Sequence, residues 1–257
     1  MKIPEEMRTR RIQSVEDLIA LLGPRLSPSG ADPIYRGHSD ANWTLRPRLF
    51  RHRDLMVIMG GWRQLEDHLL DKFQRRATPF LVTRPERPLD WLSLMQHNRL
   101  PTRLLDWTTD PLTALWFAVS GDVAQEACVW EYWPLEEPEL GARDQVDSSD
   151  EPREVKLWEP GAYSGRITAQ HSVHTIHPLP AGIDEFTAMD NSDDEAGRLR
   201  QFLIPDSVIS AIRSQLDRLG YGPGRLFPDL EGAAQSILWE LDVKFENIDL
   251  TFDPFNS

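Results

Sequence analysis

Apolar residues recur at helical intervals in several stretches of this chain and alternate with polar ones in others, so the pattern predicts both kinds of element. Residues 14–23 (SVEDLIALLG) combine a capping serine, an aspartate three positions on, an apolar stripe and a closing glycine, which predicts a short helix. Residues 62–77 place Trp62, Leu65, Leu69, Phe73 and Ala77 on one face, with charges opposite, and predict an amphipathic helix. Asp90 is positioned to cap a helix over 91–98, and Arg99-Leu100-Pro101 breaks it. Asp110-Pro111, an N-cap followed by proline at the first helical position, opens another helix that stops at Gly121. Two more helices follow, one from Asp206 or Ser207 to Gly220 and one capped by Asp229 over 230–238.

Strand patterns lie between them. Residues 33–50 predict a hairpin or a strand-turn-extended segment, and residues 102–108 and 127–133 predict buried strands. Residues 165–178 predict a strand or hairpin, Phe202-Leu203-Ile204 a short strand, and 241–252 a strand-like or extended tail. Helices outnumber strands and the strands scatter between them, which predicts an α+β fold with mixed or antiparallel central strands flanked by helices. Acidic stretches near 134–154 and 184–197 predict exposed loops.

Charge narrows the partners. Lys and Arg number 28 and Asp and Glu 41, a balance of −13, so most of the surface repels phosphate backbones and anionic lipid. The exception is residues 46–53, where Arg46, Arg48, Arg51 and Arg53 stand without an acid until Asp54. One cysteine, Cys128, permits no internal disulfide and no cysteine zinc cluster, which fits a reducing compartment. No apolar run is long enough for a signal peptide or a membrane span, so a cytoplasmic location without membrane partners is expected. Phosphate-binding loops, dinucleotide fingerprints, zinc-protease motifs and nucleophile elbows are absent. His171, His174 and His177 are three apart, and on a strand only His171 and His177 would share a face, so no metal is expected.

The candidate chemistry lies elsewhere. Tyr35-Arg36-Gly37 sets a bidentate donor beside a residue without a side chain, where a phosphate or ribose could approach the backbone. Arg36 could equally pair internally with Asp106. Residues 96–118 (QHNRLPTRLLDWTTDPLTALWFA) gather Gln96, His97, Arg103, Asp106 and Thr108 among leucines and tryptophans, which suits either a pocket for a planar, hydrogen-bonding ligand or an internal ion-pair network.

Four blocks in order, Tyr35-Arg36-Gly37, residues 96–118, residues 166–177 with Gln170, and residues 226–232 (LFPDLEG), resemble the FRG domain, named for a Phe-Arg-Gly signature that here reads Tyr-Arg-Gly. The resemblance implies a lead-in over 1–30 and an FRG-type domain over 31–257. Within it, an arginine on an early strand and a strand running into a capped helix look like the NAD-binding half of ADP-ribosyltransferases. That likeness implies NAD as substrate and nucleotide ligand, with Arg36 and Gly37 at its ribose or pyrophosphate. His97, Arg103, Asp106, Trp107 and Thr108 would line the rest of the pocket, the last two at the nicotinamide. A late residue, Gln170 or Glu231, with Glu240 a more distant candidate, would activate an acceptor macromolecule. Such chemistry would suit a toxin or phage-defence protein. The alternatives are a non-catalytic nucleotide or nucleic-acid recognition domain using Arg36 and the basic run, and a partner-binding role for the acidic loops.

Overall fold

A computed structural model describes residues 3–22, 31–81, 84–121, 123, 125–135, 154–161 and 165–245. Among these described residues seven strands form one mixed sheet: β1 (Thr9–Arg11), β2 (Ile34–His38), β3 (Leu104–Thr108), β4 (Glu126–Tyr132), β5 (Lys156–Trp158), β6 (Ser172–Ile176) and β7 (Leu199–Pro205). Their order is β1-β7-β4-β2-β3-β6-β5. β1 runs parallel to β7 and every other pairing is antiparallel. The helices are α1 (Glu5–Arg8), α2 (Val15–Leu22), α3 (Arg53–Met59), α4 (Trp62–Ala77), α5 (Pro88–His97), α6 (Pro111–Val119), α7 (Gly165–Ala169), α8 (Ile209–Arg218), α9 (Pro223–Leu226) and α10 (Leu230–Phe245). The fold is thus α+β, as the sequence pattern predicts. Strand β1 and helix α2, within the stretch set apart as a lead-in, join the same sheet and core.

One face of the sheet buries Tyr35, Val129, Phe202 and Ile204 against α2, α6 and α8. The other buries Ile34, Leu105, Trp107, Tyr132 and Val173 around Leu45 and Met189. A third cluster joins Leu104 and Ile176 to Leu89, Leu92 and Met95 of α5. Each follows from period-2 alternation along the strands, which sends neighbouring residues to opposite faces.

The joint between β2 and β3 positions the site. β2 pairs with β4 along all of Ile34–His38, and β3 with β6 along all of Leu104–Thr108, yet β2 and β3 share one partner pair, Tyr35 with Thr108. Beyond that pair no ladder joins the two strands. Helix α6 lies over the β2 side, and Gly37 lets it come close: a Cβ there would stand 2.0 Å from the Ala114 carbonyl oxygen and 2.5 Å from the Ala118 nitrogen. The glycine expected to admit a ligand to the backbone therefore serves first to seat a helix, although it also borders the cleft.

Several local expectations change. Helix α5 begins at Pro88, so Asp90 lies inside it as a buried partner of Arg87, 3.0 Å away, rather than as its cap. Residues 165–178 are a helix and then a strand, with His171 at the turn between them in the left-handed region (φ 48°), so it shares no strand face with His177. The stretch 184–197 is exposed only in part: Asp184, Glu185, Asp193 and Asp194 face solvent, but other residues turn inward. Phe186, Ala188, Met189 and Glu195 are buried, and Asp190 Oδ1 accepts the Leu45 amide at 2.7 Å. Asp190 and Glu195 find donors in the fold that composition does not reveal. Residues 241–245 continue α10 rather than forming a strand. The remainder of that tail, and the acidic stretch 136–153, lie outside the described residues. Asp110 caps α6 as expected, accepting the Leu112 amide at 3.0 Å and the Thr113 hydroxyl at 2.9 Å.

The contact at Gly37 is with backbone, which cannot swing aside. Gly37→Ala should lower stability by about 3 kcal/mol, measured as the shift of the urea or thermal midpoint. An unchanged midpoint would show that α6 can retreat from β2.

Candidate functional site

A cleft of about 370 Å³ occupies the opening between β2 and β3. Arg36 stands at its head, half-buried. Its Nε donates to His38 Nε2 at 2.9 Å and its Nη1 reaches across the gap to the backbone carbonyl of Asp106 at 2.6 Å. Both acceptors are neutral. The internal ion pair with the Asp106 carboxylate is not formed. Burial lowers the arginine pKa, the nearby Asp106 charge opposes that shift, and Arg51 reinforces it.

The Arg36 bond settles the state of His38. An imidazole nitrogen that accepts carries no proton, so the proton must be on Nδ1, which faces the Trp43 carbonyl at 3.2 Å. Burial first, and the Arg36 charge second, push the His38 pKa down to about 3. A neutral histidine thus aims a permanent cation at the cleft.

Asp106 lies on the opposite wall. Its Oδ1 is 3.1 Å from His174 Nδ1 on the neighbouring β6, because register places Asp106 beside His174. Its Oδ2 accepts from Gln96 Nε2 at 3.0 Å, and Thr102 donates to Gln96 Oε1, turning the amide so that its NH₂ faces the acid. Partial removal from water within the cleft would raise the carboxyl pKa, but the nearby His174 imidazole, the Arg36 charge and the Gln96 amide outweigh it and hold the group below the usual carboxylate range. Behind His174, Nε2 lies 3.5 Å from Ser93 Oγ, and Trp158 stacks on the ring with centroids 5.6 Å apart.

Helix α7 and the segment before α10 make the remaining wall. Arg166 binds Asp229 at 2.6 Å and Glu231 at 2.7 Å, and its guanidinium lies over the Phe227 ring, 5.1 Å from the centroid. Gln170 lies at the turn after α7, where its side chain donates to the Leu226 carbonyl at 3.1 Å and its own carbonyl accepts from Thr108 Oγ1 at 2.7 Å. His97 faces the cleft, its pKa lowered by burial and then by Arg166.

Of the residues singled out from the sequence, Arg36, Gly37, His97, Asp106, Trp107, Thr108 and Gln170 border this cleft and Arg103 and Glu231 do not. Arg103 pairs with Glu66 at 3.0 Å, both nearly buried, because it faces away from Asp106 along the chain. Glu231 sits beyond the wall, held by Arg166, with Arg99 3.7 Å away. Trp107 touches the cleft, but its indole donates to Thr175 at 2.9 Å within the second core. Glu240 is exposed on α10. Sequence reading missed His38, Ser93 and Arg166 and weighed His174 only within a metal reading that it set aside. The signal for His174 is its register opposite Asp106, visible only once β3 and β6 are paired. Among the described residues no cluster of three or more His, Cys, Asp or Glu is placed to hold a metal ion. Among them, too, no helix is long and apolar enough to cross a membrane.

Fold and site together define an α+β protein whose mixed sheet parts at one joint to form a cleft headed by an arginine. The FRG domain family's model matches residues 31–127, the span from the approach to β2 through the start of β4. Arg36, Gly37, Gln96 and Asp106 lie within the match, and Gln170, His174 and Glu231 lie after it. Neither the curated proteins nor the solved structures yield a match.

A proton on His38 Nε2 would break the Arg36 bond. The unfolded histidine titrates near the ordinary value of about 6.5, so below that pH the unfolded chain binds a proton that the fold refuses. The associated stability is complete above the ordinary value and is lost as pH falls toward about 3. In NMR, the His38 ring signals should stay still between about pH 5 and 8 and report the Nδ1–H tautomer. A midpoint near the ordinary value would contradict the bond.

Proposed function

We propose that the cleft binds a nucleotide, that NAD is its substrate, and that the protein transfers the ADP-ribosyl group to a macromolecular acceptor. The observation that carries this reading is Arg36. A half-buried guanidinium whose hydrogen bonds run to an imidazole nitrogen and a carbonyl oxygen keeps its full charge, while the nearest carboxylate is occupied elsewhere. An anionic ligand would offset the cost of burying that charge. The aromatic rings of Trp43, Phe117 and Phe227 border the same space and supply apolar surface for a planar base. The cleft volume lies toward the lower end of small-molecule sites, about 300–1,000 Å³. The nicotinamide riboside half would fill it and the second phosphate would lie toward Arg51, whose charge is felt at Arg36 and His38. A toxin or phage-defence setting would follow from such an activity.

Recognition of a nucleic-acid end without turnover is the less favoured reading. It needs the basic run to be free, and three of its members have protein partners: Arg48 donates to the Arg99 carbonyl, Arg51 reaches the Arg46 carbonyl and Arg53 pairs with Glu185 at 3.1 Å.

NAD and ADP-ribose, at about a hundred times their dissociation constants, should stabilise the folded protein by about 2.7 kcal/mol, read as a rise in melting temperature. Arg36→Ala should abolish the rise while remaining folded by circular dichroism. A short oligonucleotide that gives the larger rise, with steep salt dependence, would favour the second reading. Mass spectrometry of protein and nucleic-acid acceptors then reads the transfer.

A further inference from the structure

Ser93, His174 and Asp106 form a connected row across the cleft wall: hydroxyl to Nε2, Nδ1 to carboxylate. The connectivity is that of an acyl-transfer triad, in which the serine meets the substrate and the acid is buried behind the ring. Here the exposure is reversed. Ser93 is 3% exposed, whereas the Asp106 side chain is 54% exposed and opens onto the cleft. The hydroxyl therefore cannot be the attacking group, and the carboxylate is the member that a ligand would meet.

The surroundings treat Asp106 as a group to be held still. His174 Nδ1 lies 3.1 Å from one oxygen, with the ring packed between Ser93 and Trp158, and the other oxygen accepts from Gln96, whose orientation is set by Thr102. A carboxylate has about four acceptor sites, so capacity remains on the open side. The other candidates are spent differently. Glu231 lies outside the cleft with Arg166 bound to it, and Gln170 has no basic group and donates to the Leu226 carbonyl.

We propose that Asp106 is the catalytic carboxylate of this cleft, acting at the anomeric carbon of a ribosyl N-glycoside, with His174 and Ser93 as its positioning residues. The assignment rests on the nucleotide reading above. In the step, the bond between C1′ and the pyridinium nitrogen of NAD breaks. Its electron pair leaves with the ring nitrogen, giving neutral nicotinamide. The cationic charge that develops at C1′ faces the carboxylate. An acceptor oxygen, from water or a hydroxyl, forms the new bond to C1′, and Asp106 takes the acceptor's proton and releases it to solvent.

The test uses the full chain with NAD, water as acceptor, and chromatographic measurement of released nicotinamide, alongside calorimetric binding of ADP-ribose. Asp106→Asn should lower kcat by about a hundredfold or more, with ADP-ribose affinity retained, which also shows the variant to be folded. Ser93→Ala exchanges a buried hydroxyl for hydrogen at nearly the same volume. It should lower kcat by about tenfold to a hundredfold with KM unchanged, and it decides the matter if Asp106→Asn does not fold. Full turnover in Asp106→Asn, unchanged kcat in Ser93→Ala, or loss of turnover in Glu231→Gln with Asp106→Asn still active would overturn this assignment and leave the nucleotide reading intact. Wild-type protein that binds no ADP-ribose, or binds it and releases no nicotinamide, would remove the transferase reading and this assignment with it.

Discussion

Tyr35 against Thr108 is the one ladder pair between β2 and β3, and the site depends on that economy of contact. A fully zipped ladder there would close the sheet and leave no space between its halves. With one pair formed, β2 keeps its full ladder with β4 and β3 keeps its own with β6, and residues of both strands line the cleft. Arg36 bridges the mouth of that opening through the Asp106 carbonyl. The same residue thus holds the two halves at a set distance and presents a charge to whatever enters.

Elsewhere the protein handles buried charge conventionally, which sets Arg36 apart. Glu66 meets Arg103, Glu131 meets Arg200, and Glu195 meets Arg198 while accepting from the Tyr132 hydroxyl at 2.7 Å. Burial raises the pKa of Glu66 and Glu195 against the pull of these partners, as expected for acids removed from water. Removing one member of such a pair strands the other, so these contacts hold the chain in place without implying chemistry. Arg36 and Asp106 sit close together, but each is satisfied by different neighbours. The separation leaves a cation and an anion facing one cleft rather than cancelling in a single bridge.

The walls come from distant parts of the chain. Helix α5 supplies Gln96, His97 and Ser93, α7 supplies Arg166, and the segment before α10 supplies Phe227. Arg166, bound to Asp229 and Glu231, ties α7 to the start of α10, and Gln170 ties the following turn to the Leu226 carbonyl. A late glutamate and a late glutamine thus hold the wall in place.

Local pattern by itself determined the helices at α2, α4, α6 and α8, the strands β2, β3, β4 and β7, and the capping role of Asp110, because caps and apolar periodicity act within a few residues. It also singled out Arg36, Asp106 and the polar run around them, since such groups are costly among leucines unless something binds them. Only the tertiary structure decided which partner each would take. Arg103 and Asp106 are three residues apart, yet one reaches Glu66 and the other His174. The turn at His171 shifts which residues of that segment lie on a strand, and acids near 184–197 found buried donors. Pairing across a sheet joins residues far apart in sequence through register, and register is set by the packing of whole faces, which no short window of residues contains.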